Sequence, residues 1–253
     1  MPLSKNIIKS VTALHLKKFR QKYDKFIAEG EKIVQELLSQ SVYEVEAVFG
    51  TEEWASKHIG LLQNRAINFT VINDKELSLI SQMSTPNKVL AIVKKPAIST
   101  IQQPLSGWSI YLDGVQDPGN VGTILRIADW FGLPRVIAGP GTVELYNTKV
   151  LQATMGAFLR VTWLEASLRQ VKQFHPALPV WVADMAGTDV FELTVPTTGV
   201  LVVGNEGQGV TELSQQLATQ LIAITAPAGG GAESLNVAVA TGILCAALTR
   251  KNR

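Results

Sequence analysis

The chain has 253 residues, 46% hydrophobic and 17% charged, with a mean hydropathy of +0.17, so a sizeable core is available and disorder is excluded for most of its length. Three histidines and one cysteine leave no room for a disulfide framework or a Cys/His zinc site, and no metal is expected. Net charge is only +2 but unevenly shared: residues 1–106 hold 14 Lys and Arg against 10 Asp and Glu, residues 107–253 hold 9 against 11.

The excess lies in the first 25 residues, where Lys5, Lys9, Lys17, Lys18, Arg20, Lys22 and Lys25 face Asp24 alone. A basic arm of this kind suits a polyanion, although on charge alone a solvated helix face explains it equally well. No apolar core separates the N-terminal lysines and no apolar run reaches membrane-spanning length. A soluble protein of a reducing compartment, the cytoplasm, is therefore expected, without a membrane partner.

Phe26–Leu38 has apolar residues at helical spacing and predicts a helix. Val42–Phe49 alternates as a strand, and Thr51 can cap a helix running to about Arg65. A strand over Ile67–Ile72, a short helix capped by Asp74 and a strand over Val89–Val93 complete a small α/β module, residues 1–96. Residues 97–106, with proline and few large apolar groups, read as a linker. From 107 to 253 the pattern is more apolar. Strands are predicted at 108–112, 135–138, 161–163, 180–183, 199–203 and 221–224. Helices are predicted at 122–131, 147–159, 164–173, 211–219 and 235–248. Such alternation indicates a parallel sheet covered on both faces, with ligands at the carboxyl ends of its strands. Cys245, inside the last apolar run, reads as a small buried hydrophobe.

Three loops carry candidate chemistry. After the strand ending at Leu112, Asp117-Pro118-Gly119 forces a turn and Asn120 can cap the next helix, with Arg126 nearly two turns on. After Val203 comes Gly204-Asn-Glu-Gly-Gln-Gly209, which fits neither a dinucleotide fingerprint nor a phosphate loop; Glu206 can accept from a ligand or staple loop amides. After Ile224 a glycine run leads to Ser234 and Asn236 at the head of the last helix. Taken singly, the first loop reads better as an Asn cap and a surface Arg, the second is a weak to moderate signal, and the third is as consistent with a capping Ser and a satisfied Asn as with a site. His15, His58 and His175 lack the partners of a hydrolase triad and read as structural or surface residues.

Together the loops spell N-x-G-x-x-x-R, then G-x-E-x-x-G, then P-x-x-G-x-x-E-S-L-N-V-A-x-A, in an order and spacing that resembles the SpoU/TrmH family over residues 108–250. These are S-adenosylmethionine-dependent RNA 2′-O-ribose methyltransferases of the SPOUT superfamily. Tyr23–Val34 is similar to the stretch leading into the first long helix of the family's substrate-binding module. The resemblance implies a SPOUT-type parallel-sheet domain with a C-terminal trefoil knot, preceded by a small α/β substrate-binding domain. It also implies a homodimer whose active site both subunits complete. Carried over, Arg126, Asn120, Glu206, Ser234 and Asn236 form the catalytic site. Gly204, Asn205, Gly209, Ile224, Ala226 and Leu235 line the S-adenosylmethionine pocket, with Ala226-Pro227-Ala228 where the family commonly has Ile-Pro-Met. The substrate implied is RNA, ribosomal in preference to transfer RNA. The competing readings are a non-catalytic RNA-binding protein that retains the knotted fold and, more weakly, a nicotinamide oxidoreductase, whose glycine spacing and early acidic partner are missing.

Overall fold

The computed structural model describes residues 3–63, 67–97, 100–226 and 233–250. Its contacts divide the chain into two units, Met1–Ala97 with Tyr146–Gly156, and Ile98–Leu145 with Ala157–Arg253.

The first unit opens with helices α1 (Lys5–Ala13) and α2 (Lys17–Tyr23), then strand β1 (Lys25–Glu29) and helix α3 (Glu31–Ser39). The single helix predicted over 26–38 is thus a strand and a helix. Phe26, Ile27 and Ala28 pair antiparallel with Val93, Ile92 and Ala91, and Gly30, at φ 106°, supplies the break a side chain would resist. Next come β2 (Val45–Gly50), α4 (Glu52–Lys57), α5 (Ile59–Gln63), β3 (Asn68–Val71), α6 (Asp74–Ile80) and β4 (Val89–Lys94). The helix predicted to run from Thr51 to 65 is interrupted at His58, whose Nδ1 hydrogen-bonds Trp54 O at 2.8 Å. Asn73, not Asp74, caps α6, in a capping box closed by Glu76. The sheet order is β1-β4-β2-β3, with only β2 and β3 parallel. One side of its core gathers Val11 and Leu14 with Ile27, Phe49, Leu77 and Leu90.

The second unit contains β5 (Trp108–Asp113), α7 (Pro118–Trp130) and β6 (Arg135–Ala138). The chain then gives α8 (Thr148–Thr154) to the first unit, where Tyr146 stacks on Phe26 at 4.4 Å. The helix predicted over 147–159 ends there because Met155 turns left-handed at φ 50°; Ala157–Leu159 is a separate 3-10 turn. There follow β7 (Thr162–Glu165), α9 (Leu168–Phe174), β8 (Val180–Asp189), β9 (Gly199–Gly204), α10 (Glu212–Gln216), β10 (Gln220–Ala223) and α11 (Val237–Arg250).

These strands form one sheet of order β10-β8-β9-β5-β6-β7, parallel at every pairing. Every residue of β5 is buried, as a strand covered on both faces requires. Tyr111, Ile137, Val182 and Val202 join Leu168 and Val171 of α9 in one core cluster. Helices α7 and α11 pack on each other and contact β6 and β9 respectively. Because β9, late in the chain, lies beside β5, the loops after both strands open at the same edge.

Candidate active site

The site is built on the ends of β5 and β9, which pair from Trp108↔Gly199 to Asp113↔Gly204. The buried Asp113 carboxylate accepts from Thr211 N at 2.7 Å and Thr211 Oγ1 at 2.9 Å, fastening the loop after β9 onto the end of β5. Asn205 adds a second fastening: its Nδ2 donates to Gly114 O at 2.9 Å, while its Oδ1 accepts from Gly207 N and Gln208 N. Asn205 and Gly209 also exchange two backbone hydrogen bonds of 2.9 Å, closing the loop on itself with Glu206 exposed at its tip. Gly204 has no space for a side chain, since a Cβ there would collide with the Gly209 backbone. A Cβ on Gly209 would meet no described residue within 4 Å, and the residue's φ of 70° is what favours glycine there.

Asn120 does not cap α7 as predicted. Asp117 does, its Oδ1 accepting from Asn120 N at 2.8 Å. The Asn120 side chain is thereby released for tertiary contacts, donating from Nδ2 to Glu206 Oε1 at 2.9 Å and accepting at Oδ1 from Asn236 Nδ2 at 3.0 Å. The direction of this chain is dictated at its far end. Asn236 Oδ1 accepts from Ala238 N at 2.9 Å and Val239 N at 3.3 Å, in the manner of a helix cap, so only its nitrogen is left to donate. Asn120 must then present oxygen to Asn236 and nitrogen to Glu206. Burial works to raise the Glu206 pKa. Hydrogen bonds from the Asn120 side chain and from backbone amides, including those of Gln116 and Asp117 ahead of α7, outweigh it and hold the carboxyl below its ordinary value.

All three predicted loops therefore meet in one hydrogen-bonded chain, Asn236–Asn120–Glu206. Arg126 stands exposed on α7 with no hydrogen bond to the described residues, a cation open to an incoming anion. Ser234 and Leu235 are exposed just ahead of α11, Ile224 is half-buried after β10, and Ala226 is exposed; Pro227 and Ala228 lie outside the described residues. Asp113 and Thr211 give no signal in the sequence, where an aspartate ending an apolar strand reads as a strand terminus. The loop after β8 gives none either. Strand β8 lies between β9 and β10, so its carboxyl end adjoins theirs, a fact visible only from the strand order. The three histidines are structural: His15 and His175 bond the carbonyls of Ile80 and Ile101, and His58 bonds Trp54 O. Burial pushes the Cys245 thiol up to about 12, in keeping with a small buried hydrophobe.

Fold and site define a parallel α/β domain with a polar site in glycine-rich strand-end loops, joined to a small mixed-sheet unit. The chain belongs to the SpoU rRNA methylase family, whose model matches residues 107–246; that of the MRM3-like substrate binding domain matches residues 5–91. It is 31% identical over 242 residues to the 23S rRNA (guanosine(2553)-2′-O)-methyltransferase RlmP of Bacillus subtilis, covering 94% of this chain and 93% of that protein. A solved TrmH-family structure from Porphyromonas gingivalis is 34% identical, with a TM-score of 0.87 over 99% of this chain and all of the other. An AdoMet-bound rRNA methyltransferase from Sinorhizobium meliloti is 28% identical, with a TM-score of 0.88 over 99% of this chain and 97% of that one.

Proposed function

We propose that this chain is an RNA methyltransferase that moves the methyl group of S-adenosylmethionine to a ribose 2′-hydroxyl of ribosomal RNA. The observation that carries the reading is the hydrogen-bonded chain Asn236–Asn120–Glu206, which draws the family's three signature loops into one site. The 23S rRNA activity of the Bacillus subtilis relative and the AdoMet bound to the Sinorhizobium meliloti relative support substrate and donor. The non-catalytic alternative has no observation in its favour.

The donor pocket we assign to Gly204, Asn205, Gly209, Ile224, Ala226 and Leu235. The close backbone approach at Gly204 and the backbone groups of these short strand-end loops suit a nucleoside and an amino-acid tail. When bound, S-adenosylmethionine supplies an electrophilic methyl on a sulfonium. The protein must align the ribose oxygen in line with that carbon and manage the hydroxyl proton. The role of Arg126 is to clamp the neighbouring phosphate and stabilise negative charge developing on the 2′-oxygen. Asn120 and Asn236 each keep one side-chain N–H beyond the bonds they make. These N–H groups, with the Ser234 hydroxyl, orient the substrate. Glu206 is a positioning residue that holds Asn120.

Residues 1–96 form the RNA-gripping module, 97–106 a linker and 107–253 the methyltransferase domain with its trefoil knot, a domain that lends 146–156 to the first unit. An unthreaded path in a crystal structure traced through residues 227–232 would remove the knot. The partner is a second copy of this chain, in the cytoplasm. Trp130 of α7 and Val239 of α11 are exposed apolar residues on two helices packed together and are candidates for that contact. Light scattering should give twice 27.4 kDa for the wild type and a smaller mass for Trp130→Glu; a monomeric wild type would refute the dimer.

The reaction is tested by incubating the protein with methyl-labelled S-adenosylmethionine and total RNA lacking the modification, then resolving the RNA by size and nucleoside. Label in one 2′-O-methyl nucleoside of ribosomal RNA is expected. Label in a base, or none despite measurable donor binding, contradicts the reading.

A further inference from the structure

Helix α2 carries a feature that methyl transfer does not use. Its seven residues, Lys17 to Tyr23, hold three exposed lysines, Lys17, Lys18 and Lys22, two aromatics and no carboxylate. Arg20 turns inward, 3% exposed, and its Nη1 donates to Leu14 O at 2.9 Å and His15 O at 2.7 Å. This fixes the corner between α1 and α2, so the outer face of α2 is held rigidly. On it Phe19 and Tyr23, one turn apart, stack at 6.1 Å with planes 8° apart. Lys18 Nζ sits 4.9 Å from the Phe19 centroid and Lys22 Nζ 5.4 Å from that of Tyr23. Tyr23 is 48% exposed and Leu16, 52% exposed, extends the ledge.

A flat aromatic ledge flanked by ammonium groups matches two chemistries that occur together in one ligand, the face of a nucleobase and the phosphates on either side of it. In a duplex the base faces are already stacked on one another, so a ledge of this kind serves unpaired nucleotides. Lysine charge alone would also suit an acidic peptide, but a peptide gives no reason for an exposed Tyr23 ring pre-stacked on a half-buried Phe19. We propose that the outer face of α2 holds an unpaired nucleotide of the substrate RNA, its base on Tyr23 and its flanking phosphates on Lys17, Lys18 and Lys22. The proposal rests on RNA being the substrate, and it locates part of the selection of target on this helix.

The test measures binding of the full chain to a labelled single-stranded oligoribonucleotide, and to a duplex of equal length, over a series of salt concentrations. Tyr23→Ala should weaken single-strand binding by roughly tenfold without changing the salt slope, and Tyr23→Phe should restore it. Replacing Lys17, Lys18 and Lys22 by Gln should lower the slope by about 0.7 for each phosphate that is no longer neutralised. S-adenosylmethionine affinity should hold in all of them. Wild-type binding by Tyr23→Ala, an unchanged slope in the lysine variants, or tighter binding of the duplex would overturn the proposal. A wild type that grips single strands through α2 yet transfers no methyl would sustain it while removing the methyl-transfer reading. Transfer in the wild type with no effect of the variants would remove this inference alone.

Discussion

Glu206 is the residue on which three distant stretches of chain depend, and its charge is what Asn120 and the amides before α7 recognise. Because its folded pKa is depressed, its hold on the loop is complete above the unfolded value and is lost as the pH falls through the folded one. The site should therefore keep its form throughout the neutral range and loosen only in acid. A carbon-detected NMR titration should place the Glu206 midpoint below its ordinary 4.5, and Asn120→Ala should move it upward. A midpoint above 4.5 would contradict the network. One layer deeper, the buried Asp113 accepts twice from Thr211 and keeps the loop carrying Glu206 against β5.

Among the elements, α11 and α7 bring side chains to the site by being capped in particular ways. Asn236 uses its oxygen on the first turn of α11 and its nitrogen on Asn120, so one substitution disturbs both a helix end and the site. Asn236→Ala should cost about 1 kcal/mol in thermal or denaturant unfolding through removal of the cap, and should lower methyl transfer more than donor binding. An unchanged melting temperature would contradict the cap. Element identities are widely legible from local pattern, most plainly in β6, predicted at 135–138 and found there. The failures are physical and local. Phe26–Ala28 has helix-like spacing, but pairing with β4 makes it a strand. Asn120 is as good a cap as Asp117 by residue type, yet the proline at the head of α7 sets the start of the helix and frees Asn120 for Glu206.

At the scale of the whole molecule, the site exists because β9 inserts beside β5 and brings residues 113–120, 204–211 and 236 to one edge of the parallel sheet. The three loops are legible because their residue types and spacing stand alone in sequence. Asp113, Thr211 and the loop after β8 are not, because their parts are defined by strand order, a relation between residues up to 98 positions apart. We infer that this assembly aligns a ribose hydroxyl for methyl transfer, with Arg126 as its anion clamp. Single-turnover methylation of ribosomal RNA by Arg126→Ala, Arg126→Lys and Asn120→Ala, each at saturating donor, tests it most directly. A loss of roughly a hundredfold or more is expected for Arg126→Ala, a partial recovery in Arg126→Lys because one charge returns without the bidentate fork, and a clear loss for Asn120→Ala. Wild-type rates in both Arg126 variants and in Asn120→Ala would show that the chemistry lies elsewhere.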